Sequence, residues 1–597
     1  GFKPLQAKDG PDEDVCFRSL ASCCHIWALD SVMDDSQAPG QRRRIAWLAS
    51  VLLAIGLALV GRLAFCQLMR REEVTSFSLQ GGHTPDVVPA ARGNIRDATG
   101  HYLVASTVLY DISVSPDLLT DKRKEELLPQ LMDILGKDEK EISYTLGLTR
   151  SMVLQEDVSP SVKEQIEGLE SAAAFKIDPK FRRVYPDGAL AASMLGFVNY
   201  EGQALYGLEE YYNRLLRGTQ GEWYGVRDPW GEQILANLTN YRPAEDGATL
   251  MLTLDRNIQR RAEQVLQKGI EENDATSGNI IVLDPRTGGV LAIANYPTYK
   301  PGEYGDVDSL ERYVNTSISS IYEPGSVFKS LTLAAALDAH LIRRTDSYDD
   351  RGEIIVGEQR ILNSDRKAHG PTTMTELLAY SRNVGAAYVA TLLGEARFYE
   401  YVRRFGFGEV TGIDLAHEED GILRVPGERT WHKSDLATNS FGQGIAATPI
   451  QVVAAYGAMA NDGVLMRPHV VSEIHRGEEV EIVAPFPVRR VISSQGAQDI
   501  SELMGDAMDL GMKKAVLPGY VLAGKSGTSE IPNQEGYQRE NIIASFVGYG
   551  PLPDPRFVVL TKFDEPKEGY WGTDVAAPEF RKMCKYLVDY YGIPPTR

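Results

Sequence analysis

Glu323-Pro-Gly-Ser326-Val-Phe-Lys329 is the stretch on which the reading of this chain turns. A serine hydroxyl is a weak nucleophile until a neighbouring base takes its proton. Pro324-Gly325 is a turn able to open a helix, and the apolar run after Ser326 supports a helix over Val327–Leu337. Three residues along a helix is close to one turn, so Ser326 and Lys329 fall on one face within hydrogen-bonding reach. A lysine acts as a base only when neutral, which takes burial or a nearby cation. A second SxxK, Ser364-Asp-Arg-Lys367, lies in a polar stretch ending His369-Gly370-Pro371 and reads as a solvated loop.

Ser381-Arg382-Asn383 is expected in a helix begun by the capping box Thr373-Met-Thr-Glu376, with Ser381 and Asn383 presenting a hydroxyl and an amide to one cleft. Lys525-Ser526-Gly527-Thr528 is expected on a strand after Val521-Leu522-Ala523, with Lys525 supplying positive potential that helps keep Lys329 neutral. Gly527, having no side chain, would let a substrate backbone come close to that strand. Further out, Asn279–Leu283, the turn Asp284–Gly289 and Val290–Ala294 read as a hairpin following a helix over Asn257–Glu271. A second hairpin is expected from Ile542–Tyr549 and Phe557–Phe563. Long helical stretches lie between, such as Thr375–Leu393. Strands at both ends with helices between predict an α/β (α+β) domain whose antiparallel sheet closes by pairing the two ends.

The chain has 597 residues, enough for roughly three or four domains. Its hydrophobic share of 43% and charged share of 24% are globular, not disordered, collagen-like or disulfide-stapled. The net charge of −20 offers no basic face to a polyanion, so nucleic acid is not an expected partner. Cys16, Cys23, Cys24 and Cys66 precede residue 70, and Cys584 is the one thiol after it. No CxxC pair occurs, so neither a metal site nor a cofactor is expected.

Arg42-Arg43-Arg44 precedes Ile45–Gly61, an uncharged run of about 25 Å as a helix. A transmembrane anchor is expected over residues 45–68. Residues 1–44 would form a cytoplasmic tail, in which Met33 is a plausible true start. The bulk of the chain would lie outside the cytoplasm, tethered to the cell membrane by a single pass. A mixed α+β pedestal is expected over 69–245. It includes a turn at Asp97–Gly100, a solvated helical stretch over Glu125–Gly147 and an amphipathic helix over Tyr206–Arg217 stopped by Gly218. The remainder, 246–597, carries the chemistry.

The ordered set SxxK at Ser326, SxN at Ser381 and K[ST]G at Lys525 is that of penicillin-binding proteins and serine β-lactamases. Over about residues 45–597 the chain resembles the class B penicillin-binding proteins. Arg92-Gly-Asn-Ile-Arg-Asp97 with Gly100 is similar to the family's RGxIxDRxG pedestal motif, with Ala98 in place of the usual arginine. Gly207-Leu-Glu209 with Leu216-Arg-Gly218 is similar to its GLE…LxG element. Phe405–Gly408, Thr411–Leu415, Gly442-Gln-Gly444, Thr448-Pro449, Tyr570-Trp-Gly572, Ala576–Pro578 and Gly592–Pro595 resemble its transpeptidase domain.

The resemblance implies a penicillin-binding, serine β-lactamase-like transpeptidase domain with a helical subdomain. Ser326 would attack the D-Ala-D-Ala carbonyl of a peptidoglycan stem peptide with Lys329 as base, and Ser381 would relay a proton to the leaving D-alanine. Asn383 would hold the substrate amide. Ser526 and Gly527 would line the substrate strand, and Lys525 and Thr528 would bind the terminal carboxylate. Backbone N–H groups of Ser326 and Thr528 would form the oxyanion hole. An acceptor amine would close the cross-link, and β-lactam antibiotics would acylate the same serine. Arg382 departs from the commoner small residue and would alter the charge of the cleft without touching the chemistry. The short pedestal leaves no room for a glycosyltransferase domain. It implies a polytopic glycosyltransferase partner and, with KSGT, a division-type enzyme working with division proteins. Elongation-type, sporulation-type, D,D-carboxypeptidase, β-lactamase and non-turnover sensor or scaffold readings compete with it. The apparent lack of a C-terminal sensing-like module weighs against the sporulation type.

Overall fold

A computed structural model of the chain describes residues 39–69, 86–223, 226–227, 233–234, 241–533 and 536–597. Residues 1–38, which hold most of the expected tail and Met33, lie outside the described residues. The described residues form two units.

One unit holds the helix Pro39–Met69 and the strand pair Val226–Arg227 with Gln233–Ile234. The expected anchor falls in this helix, whose Trp47, Leu52, Leu53, Leu57 and Val60 are exposed. Among the described residues, however, no helix is long and apolar enough to cross a membrane.

The other unit runs over Asp86–Trp223 and Asn237–Arg597. Its helix α1 (Arg256–Asn273) starts where the Asp255 carboxylate accepts the N–H groups of Asn257 and Ile258 at 2.8 and 3.2 Å. The expected hairpin follows as β1 (Ser277–Leu283) and β2 (Val290–Tyr296), paired antiparallel. Then come the buried helix α2 (Phe328–Asp338), α3 (Met374–Ala379) and α4 (Asn383–Arg404). Three strands, β3 (Ala523–Asn533), β4 (Gly536–Gly550) and β5 (Phe557–Asp564), precede α5 (Gly572–Tyr590). The order in the sheet is β2-β1-β5-β4-β3, and every pairing is antiparallel.

β1 pairs with β5, so the sheet closes through the two ends of the domain as the hairpin signals predict. β1 and β5 are buried along almost their whole length, which near-continuous apolar strands require when both faces are covered. On one face, Gly269 of α1 lies against the Phe563 ring and Phe580 of α5 packs on Phe546 with centroids 4.6 Å apart. On the other, the helix Pro449–Ala460 sets Gly457 on Leu283 and Tyr456 near Tyr549. α2 is buried at every residue from Phe328 to Leu337, and this fixes the Ser326 turn that precedes it.

A second sheet carries Glu479–Ile482, Val471–Arg476, Thr249–Leu252, Ile95–Arg96, Tyr102–Val114 and Met152–Val158 in that order, with Phe175–Val184 also paired to Tyr102–Val114. The expected turn at Asp97–Gly100 joins Ile95–Arg96 to Tyr102–Val114. The stretch 125–147 is helical, as Asp121–Leu135 and Glu139–Leu146, but it is not merely solvated. Leu127, Leu131, Ile142 and Leu146 bury into a core of their own with Ile112 and Val114. The helix expected over 206–217 is broken into Gly207–Tyr211 and Asn213–Leu216 at Tyr212, whose hydroxyl donates to Asp414 at 2.9 Å.

Fully buried Glu209 joins the two pedestal motifs. Arg92 Nε donates to one of its carboxylate oxygens at 2.6 Å and Arg183 Nε to the other at 2.8 Å. Removing one partner of a buried ion cluster leaves uncompensated charge and costs about 3–5 kcal/mol, whereas an exposed pair contributes about 0–1. Glu209→Gln is therefore expected to lower the urea midpoint by far more than Glu353→Gln, which breaks the exposed pair with Arg360.

Candidate active site

Ser326 sits in a single 3₁₀ turn, Gly325–Val327, which runs directly into α2. Gly325 has φ +59°, and a Cβ there would stand 2.9 Å from the Thr528 carbonyl oxygen. Glycine is thus required both by the left-handed backbone and by the contact between the turn and β3. The turn is held from behind, because Gly325 donates to the Gly442 carbonyl at 3.1 Å and Tyr456 to that of Val327 at 2.7 Å. Glu323 accepts the Gly444 N–H at 2.9 Å. The Gly442-Gln-Gly444 motif therefore braces the nucleophile turn, a role its sequence did not disclose.

Lys329 is fully buried on α2, and its Nζ lies 3.0 Å from Ser326 Oγ. It lies 2.8 Å from the Ser381 carbonyl oxygen, 3.0 Å from Ser381 Oγ and 2.7 Å from Asn383 Oδ1. A neutral amine has two N–H donors and one lone pair. The two carbonyl oxygens can only accept, so they take both donors and leave the lone pair for a hydroxyl proton. Burial, then the charges of Lys525 and Arg382, hold the Lys329 ammonium well below the usual lysine range.

The capping box at Thr373 and Glu376 is present, with reciprocal bonds of 2.8 and 3.2 Å. The helix it starts nevertheless ends at Ala379, and α4 begins at Asn383. The expectation of Ser381 inside a helix is corrected: it occupies a left-handed turn with φ +57°. That conformation costs an L-residue about 1–2 kcal/mol. It lets both the carbonyl and the hydroxyl of one residue reach Lys329, which a continuous helix would forbid by tying the carbonyl into its own ladder.

The motif Lys525–Thr528 is on edge strand β3, as expected. Its register with β4 pairs Lys525 with Val547 and Ser526 with Phe546, so alternate side chains part company. Gly527 lies against the Ser326 turn, and Thr528 meets the first residue of α5. Lys525 Nζ donates to the Ser526 carbonyl at 2.9 Å and lies 3.2 Å from its hydroxyl, and burial lowers this ammonium to about 7. Thr528 Oγ1 accepts the Gly572 N–H at 2.9 Å, which leaves its own proton to donate. A Cβ at Gly527 would meet Ser545 Oγ at 2.4 Å and the Pro324 carbonyl at 3.0 Å, so the glycine also serves packing of β3 on the Ser326 turn.

The loop of the second SxxK is exposed over residues 364–368, as expected, and in it Asp365 accepts from Arg382 Nη1 at 2.7 Å, while His369 Nε2 lies 2.9 Å from the same oxygen. Beside the site a groove of about 270 Å³ is lined by Tyr322, Glu323, Arg424, Gly444, Ser529 and Glu530 among others.

The profile described as "Penicillin binding protein transpeptidase domain" matches residues 278–585, and that of the "Penicillin-binding Protein dimerisation domain" matches 87–252. The chain is 29% identical to Stage V sporulation protein D of Bacillus subtilis, covering 93% of this chain and 87% of that protein. It is 28% identical to the peptidoglycan D,D-transpeptidase FtsI homolog of Mesostigma viride, covering 90% and 94%. Its structure is similar to that of penicillin-binding protein 3 of Mycobacterium tuberculosis complexed with aztreonam. The TM-score is 0.67, with 26% identity and coverage of 86% and 98%.

Proposed function

The chain belongs to the class B penicillin-binding proteins, the serine-type peptidoglycan D,D-transpeptidases, and on that footing we propose that it works through an acyl-enzyme on Ser326. The observation that carries this reading is the buried amine of Lys329, set 3.0 Å from Ser326 Oγ with its donors spent on Ser381 and Asn383. Lys329 takes the proton as Ser326 Oγ attacks the penultimate D-alanine carbonyl of a stem peptide. Ser381 Oγ, also 3.0 Å from Nζ, passes that proton to the amine of the departing D-alanine. Asn383 orients the peptide amide, Lys525 and Thr528 take the terminal carboxylate, and the N–H groups of Ser326 and Thr528 stabilise the oxyanion by a few kcal/mol (about 3). An acceptor amine then attacks the ester, the cross-link forms and Ser326 regains its proton. The groove beside Glu323 and Ser529 offers room for the second stem peptide.

Covalent inhibition by β-lactams follows, since the drug presents its carbonyl to the same serine; the aztreonam complex of the similar protein supports it. The test is acceptor dependence. Cross-linked product from a pentapeptide donor should rise with added amine, whereas a carboxypeptidase or β-lactamase releases acid regardless of it and a sensor turns over neither way.

The free enzyme's kcat/KM should fall as pH rises through about 7, because Lys525 loses the charge that a carboxylate needs. Lys525→Arg keeps its charge at every accessible pH. A pH profile of that variant should therefore lose the falling limb, even at a lower overall rate.

We further read the domains as a tail over 1–44, an anchor over 45–68, a pedestal over 69–245 and a transpeptidase domain over 246–597. Support for the anchor is the uncharged run Ile45–Gly61 after three arginines, inside the helix Pro39–Met69. That topology puts the catalytic bulk outside the membrane, beside a lipid-borne substrate and a glycosyltransferase partner. A septal role is favoured by KSGT and the compact pedestal, and the likeness to Stage V sporulation protein D keeps a sporulation role as the second reading. A fluorescent fusion separates them: midcell in growing cells for the first, the spore septum for the second.

A further inference from the structure

We propose that Arg382 is a positioning residue for acylation: its guanidinium, held by the Asp365 carboxylate, sets the electrostatic potential at Lys329 and so the pH at which Ser326 becomes reactive. The proposal rests on the reading of Lys329 as the base. Arg382 lies between the two residues that hold that amine, Ser381 through its carbonyl and Asn383 through its amide oxygen. Its own backbone N–H is fixed to the Leu377 carbonyl at 2.9 Å, so the side chain projects from a rigid step between α3 and α4. The guanidinium is largely buried, packs 5.4 Å from the centroid of the Tyr380 ring and donates to Asp365 at 2.7 Å. A cation so placed repels a proton from the amine beside it, and burial weakens the screening that water would provide.

Asp365 is the opposing half of the device. Its carboxylate is shared between Arg382 and His369, so it neutralises part of the guanidinium charge as seen from Lys329. Glu376, committed to its capping box, also faces Arg382, as does the Tyr348 phenol, itself bonded to Asp350. Lys329 itself faces Lys525 from β3 as its second cation. All of these stay in place when Arg382 or Asp365 is changed. The sign of the effect therefore isolates the pair.

Removing the guanidinium should let Lys329 hold its proton to higher pH. Removing the carboxylate should uncover the guanidinium and drive the proton off at lower pH. The experiment is the pH profile of benzylpenicillin acylation of the full chain in detergent, followed by intact mass, for wild type and three variants. Arg382→Gln should move the rising limb upward by about one pH unit, Arg382→Lys should leave it near the wild-type position, and Asp365→Asn should move it downward. Opposite shifts from Arg382→Gln and Asp365→Asn are the signature, since a merely structural tie would lower the rate in both without moving the limb. Limbs that coincide in all four proteins, or that move the same way in Arg382→Gln and Asp365→Asn, overturn the proposal. A wild type that forms no adduct at any pH overturns the Ser326 reading instead.

Discussion

Full-length protein in detergent, exposed briefly to benzylpenicillin, is expected to gain the mass of one drug molecule, and Ser326→Ala to gain none. The adduct is stable because the opened drug stays in the site as an ester that water reaches slowly. Ser326 is the one hydroxyl that combines a 3.0 Å approach to Lys329 Nζ with a place at the head of α2, where the chain turns on Gly325 against β3. Ser381 Oγ is equally close to Nζ, but it lies in a turn bounded by α3 and α4. An adduct that persists in Ser326→Ala and disappears in Ser381→Ala would exchange their roles. For amine-dependent cross-linking, Ser326→Ala should lose about 10⁴-fold or more, the scale on which loss of a nucleophile acts in a cooperating set. The alanine leaves no buried charge unpaired, so its thermal midpoint should match the wild type, and an unfolded variant would be recognised by that measurement.

Lys329→Met should slow formation of the same adduct by about 10³–10⁴-fold, the range for a positioned general base. Methionine keeps the length and apolar stem of lysine and removes only the amine. The loss of donors leaves the Ser381 carbonyl and Asn383 Oδ1 without their hydrogen bonds, at about 1–3 kcal/mol for a buried acceptor. Against this, an amine that burial already disfavours is no longer carried in the core. The two effects oppose each other, and the thermal midpoint should move little while the rate collapses. The rate of adduct accumulation by mass, at saturating drug, is the decisive readout. A rate within about tenfold of wild type would remove Lys329 from the proton path and leave it a structural donor. Lys329→Arg should fail as fully as Lys329→Met, since guanidinium stays protonated at any accessible pH.

How much of this was legible beforehand depends on how local each relation is. Ser326 and Lys329 are three residues apart, so helix geometry alone set them together, and the capping box at Thr373 and Glu376 was equally short in range. The two hairpins were readable from alternation and turn residues, and their pairing through β1 and β5 followed from a sheet that must close. The helix break at Ser381 was not readable, because no glycine or proline marks it. A residue driven into the left-handed region by the demands of a site 52 positions away carries no local signal. The Asp365 contact was not readable for the same reason: its loop is exposed, as expected, and its partner Arg382 stands 17 positions on.

The order of the SxxK, SxN and KSG motifs determined the class of chemistry through the family resemblance, and local periodicity set Ser326 beside Lys329 and predicted a sheet closed from both ends. Tertiary structure alone decided that Lys329 is fully buried with its ammonium disfavoured, that Thr528 Oγ1 meets the Gly572 N–H, and that Gly527 also serves packing. Burial, register and close approach are properties of segments brought together from some 200 positions apart, such as Gly325 and Thr528, and no window of sequence contains both.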